Sequence, residues 1–256
     1  MLADGPSARV LRALTDAGVF HAGGVLVGTH AFIVLENLLG VRWDELPGTR
    51  DAETVTAPRL DVAVPAISAC LPSALESLRT GFLPVPGFDP RSPTTAFKVR
   101  GRGVDLRLLT PPTRSRTARL PTAQDPPVSL PRFAAAEQPL RFLDYLIDSP
   151  VPAAAINDGV VAVNVPNPAR FALHKLIVAG ERPAAMHSKR DKDLAQAAQI
   201  IEVLHSDRPG DLLLAWEALA ARGKPWTGRV EKSLAALERV SAEAVQGVRE
   251  LAAAGL

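Results

Sequence analysis

The sequence predicts an α/β (α+β) fold in which a mixed sheet with flanking helices is followed by an all-helical region. Near the N-terminus a short apolar run ends in glycine and leads directly into a helical pattern. Two runs with β-strand composition flank the Gly-Arg-Gly sequence at 101–103, which is typical of a hairpin turn. Everything from Pro168 onward is helical in pattern. We therefore expect an α/β lobe over residues 1–165 and a helical lobe over residues 166–256.

Composition and charge narrow the class of protein. The chain has 256 residues, of which 47% are hydrophobic, enough for a sizeable core. Its 29 basic and 27 acidic residues give a formal net charge of +2, too close to balance to indicate a nucleic-acid or membrane partner. The single cysteine, Cys70, excludes an intramolecular disulfide and a cysteine-based zinc site.

Neither a leader peptide nor a membrane span is expected. The first residues lack the apolar run that follows the basic residues of a signal peptide. The most apolar stretch, 22–41, is interrupted by His30 and Glu36 and matches a membrane span poorly. We therefore expect a cytoplasmic protein with no membrane partner.

The N-terminal elements follow from periodicity and glycine positions. Residues 7–17 have helical spacing and stop before Gly18, a residue that often ends helices. The apolar run 24–28 reads as a short strand. Thr29 is then placed to cap a second helix over 30–40. The unit reads strand, tight turn, helix.

The middle of the chain predicts one helix and one hairpin. Residues 71–81 have a proline near the start and a glycine at the end, as expected for a helix. Residues 94–100 and 104–110 are the two strands that flank the Gly-Arg-Gly turn. Asp105 therefore falls near the start of the second strand.

A Pro- and Arg-rich segment separates that hairpin from the rest. Residues 110–139 are too long and too interrupted for one element, so we expect a loop, a lid, an inter-lobe crossing or a plain linker. A further hairpin is predicted over 153–165, turning at 157–159. At the C-terminal end, residues 209–254 show two amphipathic helical patterns.

A pair of acids, Asp51 and Glu53, is the first candidate site. In an extended segment two residues that are two apart point the same way, so the carboxylates crowd together. A divalent cation between them is one explanation and plain solvation is another. Asp191 and Asp193 have the same spacing, but there the start of a predicted helix explains the acids.

The context of that pair favours phosphate chemistry. Gly28 and Thr29 lie between a strand and a helix, where free backbone N–H groups let a phosphate approach closely. Asp105 supplies a third carboxylate on a strand. Three carboxylates around such a turn suit a two-metal site for phosphoryl transfer, because Mg²⁺ prefers oxygen ligands.

A basic cluster in the helical region is the second candidate site. Lys175 lies in one helix, and Ser188, Lys189, Arg190 and Lys192 lie at the start of the next. The segment beginning at Ser188 fits a capping box. Cations in a first turn oppose the helix dipole at a cost of roughly 0.3 to 1 kcal/mol each, which indicates a compensating anion. A solvated charged face with local ion pairs is the alternative.

The order of these motifs resembles the polymerase-β-type nucleotidyltransferase superfamily. Within it, the chain is similar to bacterial nucleotidyltransferase-fold proteins of unassigned substrate that are related to abortive-infection nucleotidyltransferases of toxin-antitoxin systems. The resemblance runs in order from about residue 10 to about residue 205. It is carried by the stretches LVGTHAF, LGVRW, TRDAE, GFLPVP, FKVRG, VDLRLLTP, FALHKLIVAGERP and SKRDKDLAQA.

The resemblance implies Mg²⁺- or Mn²⁺-dependent transfer of a nucleoside monophosphate from an NTP to an acceptor hydroxyl. It implies that Gly28 and Thr29 form the turn on the triphosphate side. It makes Asp51 and Glu53 the first metal-ligand pair. Asp105 is then the third carboxylate, which accepts the hydroxyl proton or acts on it through the metal.

The resemblance also implies a nucleotide-binding role for the helical cluster. Lys175 and the Lys192-Asp193 pair match a helix lysine followed by a Lys-Asp motif that contacts the triphosphate. Ser188 and Lys189 precede that motif and are separated from it by Arg190 and Asp191.

Other functions stay open at this stage. Glu53 stands where Asp is commoner, which is consistent with a catalytically weak or inactive nucleotide-binding or regulatory module. A toxin-like transferase that modifies tRNA is a further alternative. Nothing in the sequence selects an RNA, a protein or a small molecule as the acceptor.

Overall fold

The computed structural model describes residues 5–16, 18–44, 59–63, 82–84, 96–99, 105–110, 128–129, 136–139, 142–157 and 159–254. These residues form two compact units. The first comprises the described residues up to Arg42 and those between 53 and 166. The second comprises Trp43, Asp44 and the described residues from Asn167 onward.

The first unit combines a mixed sheet with helices, which confirms the predicted fold class. Its described helices are α1 (Gly5–Asp16), α2 (Gly28–Leu39) and the short α3 (Leu143–Leu146). Its described strands are β1 (Val25–Val27), β2 (Arg59–Ala63), β3 (Phe82–Pro84), β4 (Ala96–Val99), β5 (Asp105–Thr110), β6 (Val128–Ser129), β7 (Ala136–Pro139), β8 (Val151–Ile156) and β9 (Val160–Val165).

The main sheet has the strand order β1-β2-β5-β4-β3. β1 and β2 are antiparallel, β2 and β5 are parallel, and β4 is antiparallel to both β5 and β3. The β4–β5 pairing confirms the predicted hairpin around 101–103. The sheet is apolar at its centre, because Leu60, Val62 and Leu106 are fully buried. β2 and β5 are therefore central strands with partners on both sides.

Two short strands lie within 110–139, the segment predicted as a loop or crossing. β7 pairs in parallel with the end of β5, where Leu109 is in register with Gln138. β5 extends beyond its pairing with β4, so the backbone groups at its end are available to pair with β7. β6 pairs with β7. The predicted helix over 71–81 lies outside the described residues.

The start of α2 differs from the prediction in one respect. The helix begins at Gly28, one residue before the predicted cap Thr29, and its N-cap is Val27 in an extended conformation without a side-chain hydrogen bond. Thr29 therefore lies in the first turn, because the left-handed backbone of Gly28 already turns the chain into the helix. The predicted end is confirmed: Gly40 is left-handed and its N–H bonds to the Glu36 carbonyl.

The β8–β9 hairpin confirms the predicted turn at 157–159 and supports the β1–α2 region. The Asn157 N–H donates to the Gly159 carbonyl across the turn. The Asn164 side chain donates to the carbonyls of Phe20 and Gly24, at 2.6 and 3.0 Å. Asn37 of α2 donates to the Ala154 carbonyl. These bonds hold both ends of the strand-turn-helix unit against the hairpin.

The second unit is helical, as the periodicity from Pro168 onward predicts. Asn167 caps its first helix by accepting from the backbone N–H groups of Ala169 and Arg170. A 3₁₀ turn at Ala184–Met186 leads into the second helix. The helices are α4 (Pro168–Glu181), α5 (His187–Asp207), α6 (Pro209–Ala220), α7 (Lys224–Leu237) and α8 (Ala242–Ala254).

Two details of these helices correct the sequence analysis. Residues 209–254 form three helices rather than two, because Gly223 with φ 100° breaks the first pattern and a turn at 238–241 breaks the second. The capping box predicted at Ser188 is absent: Met186 is the N-cap of α5, and the 3₁₀ turn carries the chain into the helix without a side-chain cap.

The second unit packs closely around α4. A Cβ on Gly180 would lie 2.6 Å from the carbonyl oxygen of Arg229, so α4 and α7 approach closely there. Among the helices that the structure describes, none is long and apolar enough to cross a membrane.

Candidate functional site

The turn between β1 and α2 requires glycine for two reasons. Gly28 has φ +73°, a left-handed conformation that disfavours other residues. A Cβ at this position would also lie 3.3 Å from Oδ2 of Asp61. The glycine therefore lets the start of α2 approach the carboxylate of a neighbouring strand.

That carboxylate lies in the middle of β2. Asp61 is in register with Val27 on one side and with Arg107 on the other. The residue is only 9% exposed. A buried acid on a central strand needs a partner, because burying an unpaired charge is costly.

Arg107 of β5 is a partner of Asp61 in a two-point contact. Its Nε donates to Oδ1 at 2.8 Å and its Nη2 donates to Oδ2 at 3.0 Å. The side chains of Arg107 and Asp61 are 25% and 12% exposed. Bidentate arginine–carboxylate pairs combine geometric specificity with stronger hydrogen bonds than neutral groups make. The carboxylate beside the glycine turn is thus held by an internal cation.

The structure describes only part of one of the predicted metal ligands. Asp51 and Glu53 lie outside the described residues, and of Asp105 only the backbone, at the start of β5, is described. Within the described part of the chain, no group of three or more His, Cys, Asp or Glu side chains could hold a metal ion. Asp61, the acid beside the turn, already contacts a guanidinium. The described residues therefore do not fit a divalent cation at this position.

A second charged cluster lies between two helices of the second unit. Asp193 of α5 is 3% exposed. Its Oδ1 accepts from Lys175 Nζ at 2.7 Å, and its Oδ2 accepts from Arg182 at 2.6 Å. Burial raises the pKa of Asp193, but the charges and hydrogen bonds of Lys175 and Arg182 together lower that pKa below its ordinary value.

The structure brings some of the predicted nucleotide-binding residues together and not others. Lys175 and Asp193 bind each other. An acid of the protein itself therefore neutralises part of the positive charge for which a compensating anion was expected. Ser188 and Lys189 are exposed on the first turn of α5, and Lys192 is partly exposed. The Asp193 carboxylate is instead bound by Lys175 and Arg182.

Asp61, Arg107 and Arg182 were missed by the sequence analysis. Arg182 follows α4 and gives no local signal. For Asp61 and Arg107 a signal existed: residues 59–61 read Arg-Leu-Asp and residues 105–107 read Asp-Leu-Arg, two tripeptides of opposite charge order in strand-like surroundings.

Comparison with known proteins decides the family. The model of a family described as nucleotidyltransferase matches residues 6–221, most of the chain. The chain belongs to the nucleotidyltransferase family. This confirms the superfamily resemblance and implies an NTP substrate for this family member.

The nucleotidyltransferase chain also has a match among solved structures. This is an antigenic nucleotidyltransferase-like protein from Paracoccidioides brasiliensis, with 14% sequence identity and a TM-score of 0.45. The match covers 91% of this chain and 94% of the fungal one. No curated protein sequence matches the chain.

Proposed function

We propose that this family member transfers a nucleoside monophosphate from an NTP to an acceptor hydroxyl, with the triphosphate bound at the β1–α2 turn. The observation that carries the proposal is the left-handed Gly28, which starts α2 without a side-chain cap. The backbone N–H groups at Gly28 and Thr29 and the positive end of the helix dipole favour a phosphate there. Arg107 offsets the charge of Asp61, which would otherwise repel the phosphate.

The carboxylates proposed to hold Mg²⁺ or Mn²⁺ are Asp51, Glu53 and Asp105. A divalent cation held there would supply charge neutralisation for the phosphate groups. Asp105 is proposed to take the proton from the acceptor hydroxyl. Its position at the first residue of the central strand β5 supports this role, since β5 is paired on both sides and gives a rigid base.

The polar and basic side chains in the first turns of α5 are also proposed to contact a nucleotide phosphate. The exposed Ser188 and Lys189 offer a hydroxyl and an ammonium group, and Lys192 lies one turn further along α5. Lys175 and Asp193 bind each other, so we propose that they fix the position of α5 relative to α4.

Calorimetry with ATP, CTP, GTP and UTP in the presence of Mg²⁺ tests the proposal. We expect at least one NTP to bind and Asp51→Ala to abolish that binding. Asp207→Ala, which removes an exposed acid from the last turn of α5, is the control and should leave binding unchanged. The proposal is wrong if no NTP binds, or if Asp51→Ala binds as tightly as the unaltered chain.

A second candidate function is nucleotide binding without turnover. The Asp61–Arg107 pair favours it, because an acid beside the turn is engaged by an arginine. Transfer of an α-phosphate label from an NTP to RNA, to protein or to a small hydroxyl compound would eliminate this alternative. A gain in mass of tRNA alone would single out the toxin-like transferase.

A further inference from the structure

Two central strands carry complementary charge sequences. Residues 59–61 read Arg-Leu-Asp on β2, and residues 105–107 read Asp-Leu-Arg on β5. Because the strands are parallel and in register, Arg59 is paired with Asp105 and Asp61 with Arg107. Each acid on one strand therefore stands opposite an arginine on the other.

The paired strand positions around Asp61 carry more basic than acidic residues. On the other side of β5, Lys98 of β4 is in register with Asp105. The positions thus hold three basic residues and two acidic residues, a formal charge of +3 − 2 = +1. A Mg²⁺ or Mn²⁺ ion at Asp61 would need further carboxylate ligands, whereas the residues in register with Asp61 are Val27 and Arg107.

Asp61 and Arg107 are the pair at these positions whose side chains are both described, and they show how the charge of the acid is neutralised. Arg107 donates to both oxygens of Asp61 at 2.8 and 3.0 Å. A metal ion bound to Asp61 would have to share these two oxygens with the Arg107 guanidinium. It would also lie near the guanidinium charge in a mostly buried setting, where repulsion is poorly screened.

We infer that Arg107 takes the place of a divalent cation at Asp61, so that Asp61 positions β2 and β5 beside the Gly28 turn and is not a metal ligand. The inference rests on the proposed function only in treating this turn as the active site. It adds a specific role for Arg107: this residue keeps the turn electrically balanced for an anionic substrate and sets a low metal affinity at Asp61.

Mn²⁺ titration of the full chain without nucleotide tests the inference, with free Mn²⁺ followed by electron paramagnetic resonance. Arg107→Gln should create a site at which Mn²⁺ binds at least about tenfold more tightly than to the unaltered chain. The double variant Asp61→Asn with Arg107→Gln should lose that gain. Arg107→Lys keeps the positive charge and should resemble the unaltered chain. Unchanged Mn²⁺ affinity in a folded Arg107→Gln protein would overturn the inference.

Asp61→Asn in the otherwise unaltered chain provides a test that does not depend on how Arg107→Gln folds. We expect it to leave Mn²⁺ affinity unchanged within about twofold, a difference smaller than one ligand contributes. A tenfold loss would show that Asp61 is a metal ligand and would overturn the inference. If the unaltered chain binds no Mn²⁺ at all, the metal-dependent function proposed above fails while the inference about Asp61 stands.

Discussion

The two units each contain a buried aspartate held by basic side chains, and they differ in how completely it is enclosed. Asp61 in the sheet pairs with Arg107, and its side chain is 12% exposed. Asp193 in the helical unit binds both Lys175 and Arg182, and its side chain is 5% exposed. The more deeply buried acid thus binds a lysine and an arginine, whereas the acid beside the glycine turn binds an arginine that is a quarter exposed.

This difference separates two roles for similar chemistry. The Asp193 cluster joins α4, the residue that follows it and α5, so its main effect is on the stability of the helical unit. The Asp61–Arg107 pair joins two central strands at a turn with an uncapped helix start. Its geometry therefore affects the sheet and, under the proposed function, the phosphate at the turn.

Removing the Asp193 carboxylate should have the largest effect. Asp193→Ala leaves Lys175 and Arg182 without their shared anion in a mostly buried setting. We expect the free energy of unfolding to fall by about 3 kcal/mol, measured by urea denaturation. Asp191→Ala, an exposed acid two residues earlier on α5, is the matched control and should change it by less than about 0.5 kcal/mol. Equal effects of the two substitutions would refute the structural role of the cluster.

Breaking the sheet pair should cost less. Arg107→Gln removes two charge-assisted hydrogen bonds, but Arg107 is a quarter exposed and water reaches part of the pair. We expect a loss of about 2 kcal/mol in the free energy of unfolding. The double variant with Asp61→Asn should recover part of this loss, because no unpaired carboxylate is left. If the double variant is less stable than the sum of its single substitutions, the pair does not act as a unit.

Much of the fold could be predicted from local patterns. The β1–α2 turn at Gly28, the hairpin around 101–103 and the hairpin turn at 157–159 all depend on residues close in sequence. Such turns carry their signal in glycine positions, and helices carry it in periodicity. The start of the helical region at Pro168 was predicted for the same reason.

The charged pairs were harder to predict because they depend on distant residues. Asp61 and Arg107 are 46 positions apart and meet through a parallel pairing that no local pattern specifies. Arg182 and Asp193 meet because α4 and α5 pack side by side. The predicted pair Asp51 and Glu53 was found by local spacing, and it stays a prediction because these residues lie outside the described ranges.

Substituting the turn glycine Gly28 should destabilise the protein more than substituting a glycine inside a helix. Gly28→Ala places a side chain at φ +73° and 3.3 Å from the Asp61 carboxylate. We expect the free energy of unfolding, measured by thermal or urea denaturation, to fall by about 1 to 2 kcal/mol. Gly228→Ala is a suitable control, because a Cβ at this position in α7 has nothing within 4 Å. A neutral Gly28→Ala would contradict the close approach between α2 and β2.

Replacing a buried amide near the Asp193 cluster should have a smaller effect, and it should raise rather than lower the free energy of unfolding. Gln196 is fully buried on α5, and its amide atoms have no hydrogen-bond partner among the described residues. Gln196→Leu should raise the free energy of unfolding by about 1 kcal/mol, because an amide with no partner among the described residues is replaced by an apolar group of similar size. A destabilising result would indicate that the amide has a partner of its own.

Lowering the pH should gradually weaken the Asp193 cluster. The pKa of Asp193 is lowered in the folded state, so the stability that this group contributes is present above its unfolded value of 3.8 and is lost as pH falls through the folded value. The stability difference between the unaltered chain and Asp193→Asn should therefore shrink below about pH 4. A difference that stays constant from neutral pH down through this window would contradict the ion-pair explanation.

The most direct test of the account is a crystal structure of the full chain with Mn²⁺ and a non-hydrolysable NTP. Anomalous scattering would locate Mn²⁺ independently of any assumption about its ligands. We predict that Asp61 keeps both hydrogen bonds to Arg107 and that any Mn²⁺ lies beyond bonding distance of its carboxylate. Mn²⁺ bound to an oxygen of Asp61, with Arg107 displaced, would contradict the central claim that an internal arginine takes the place of the cation at this acid.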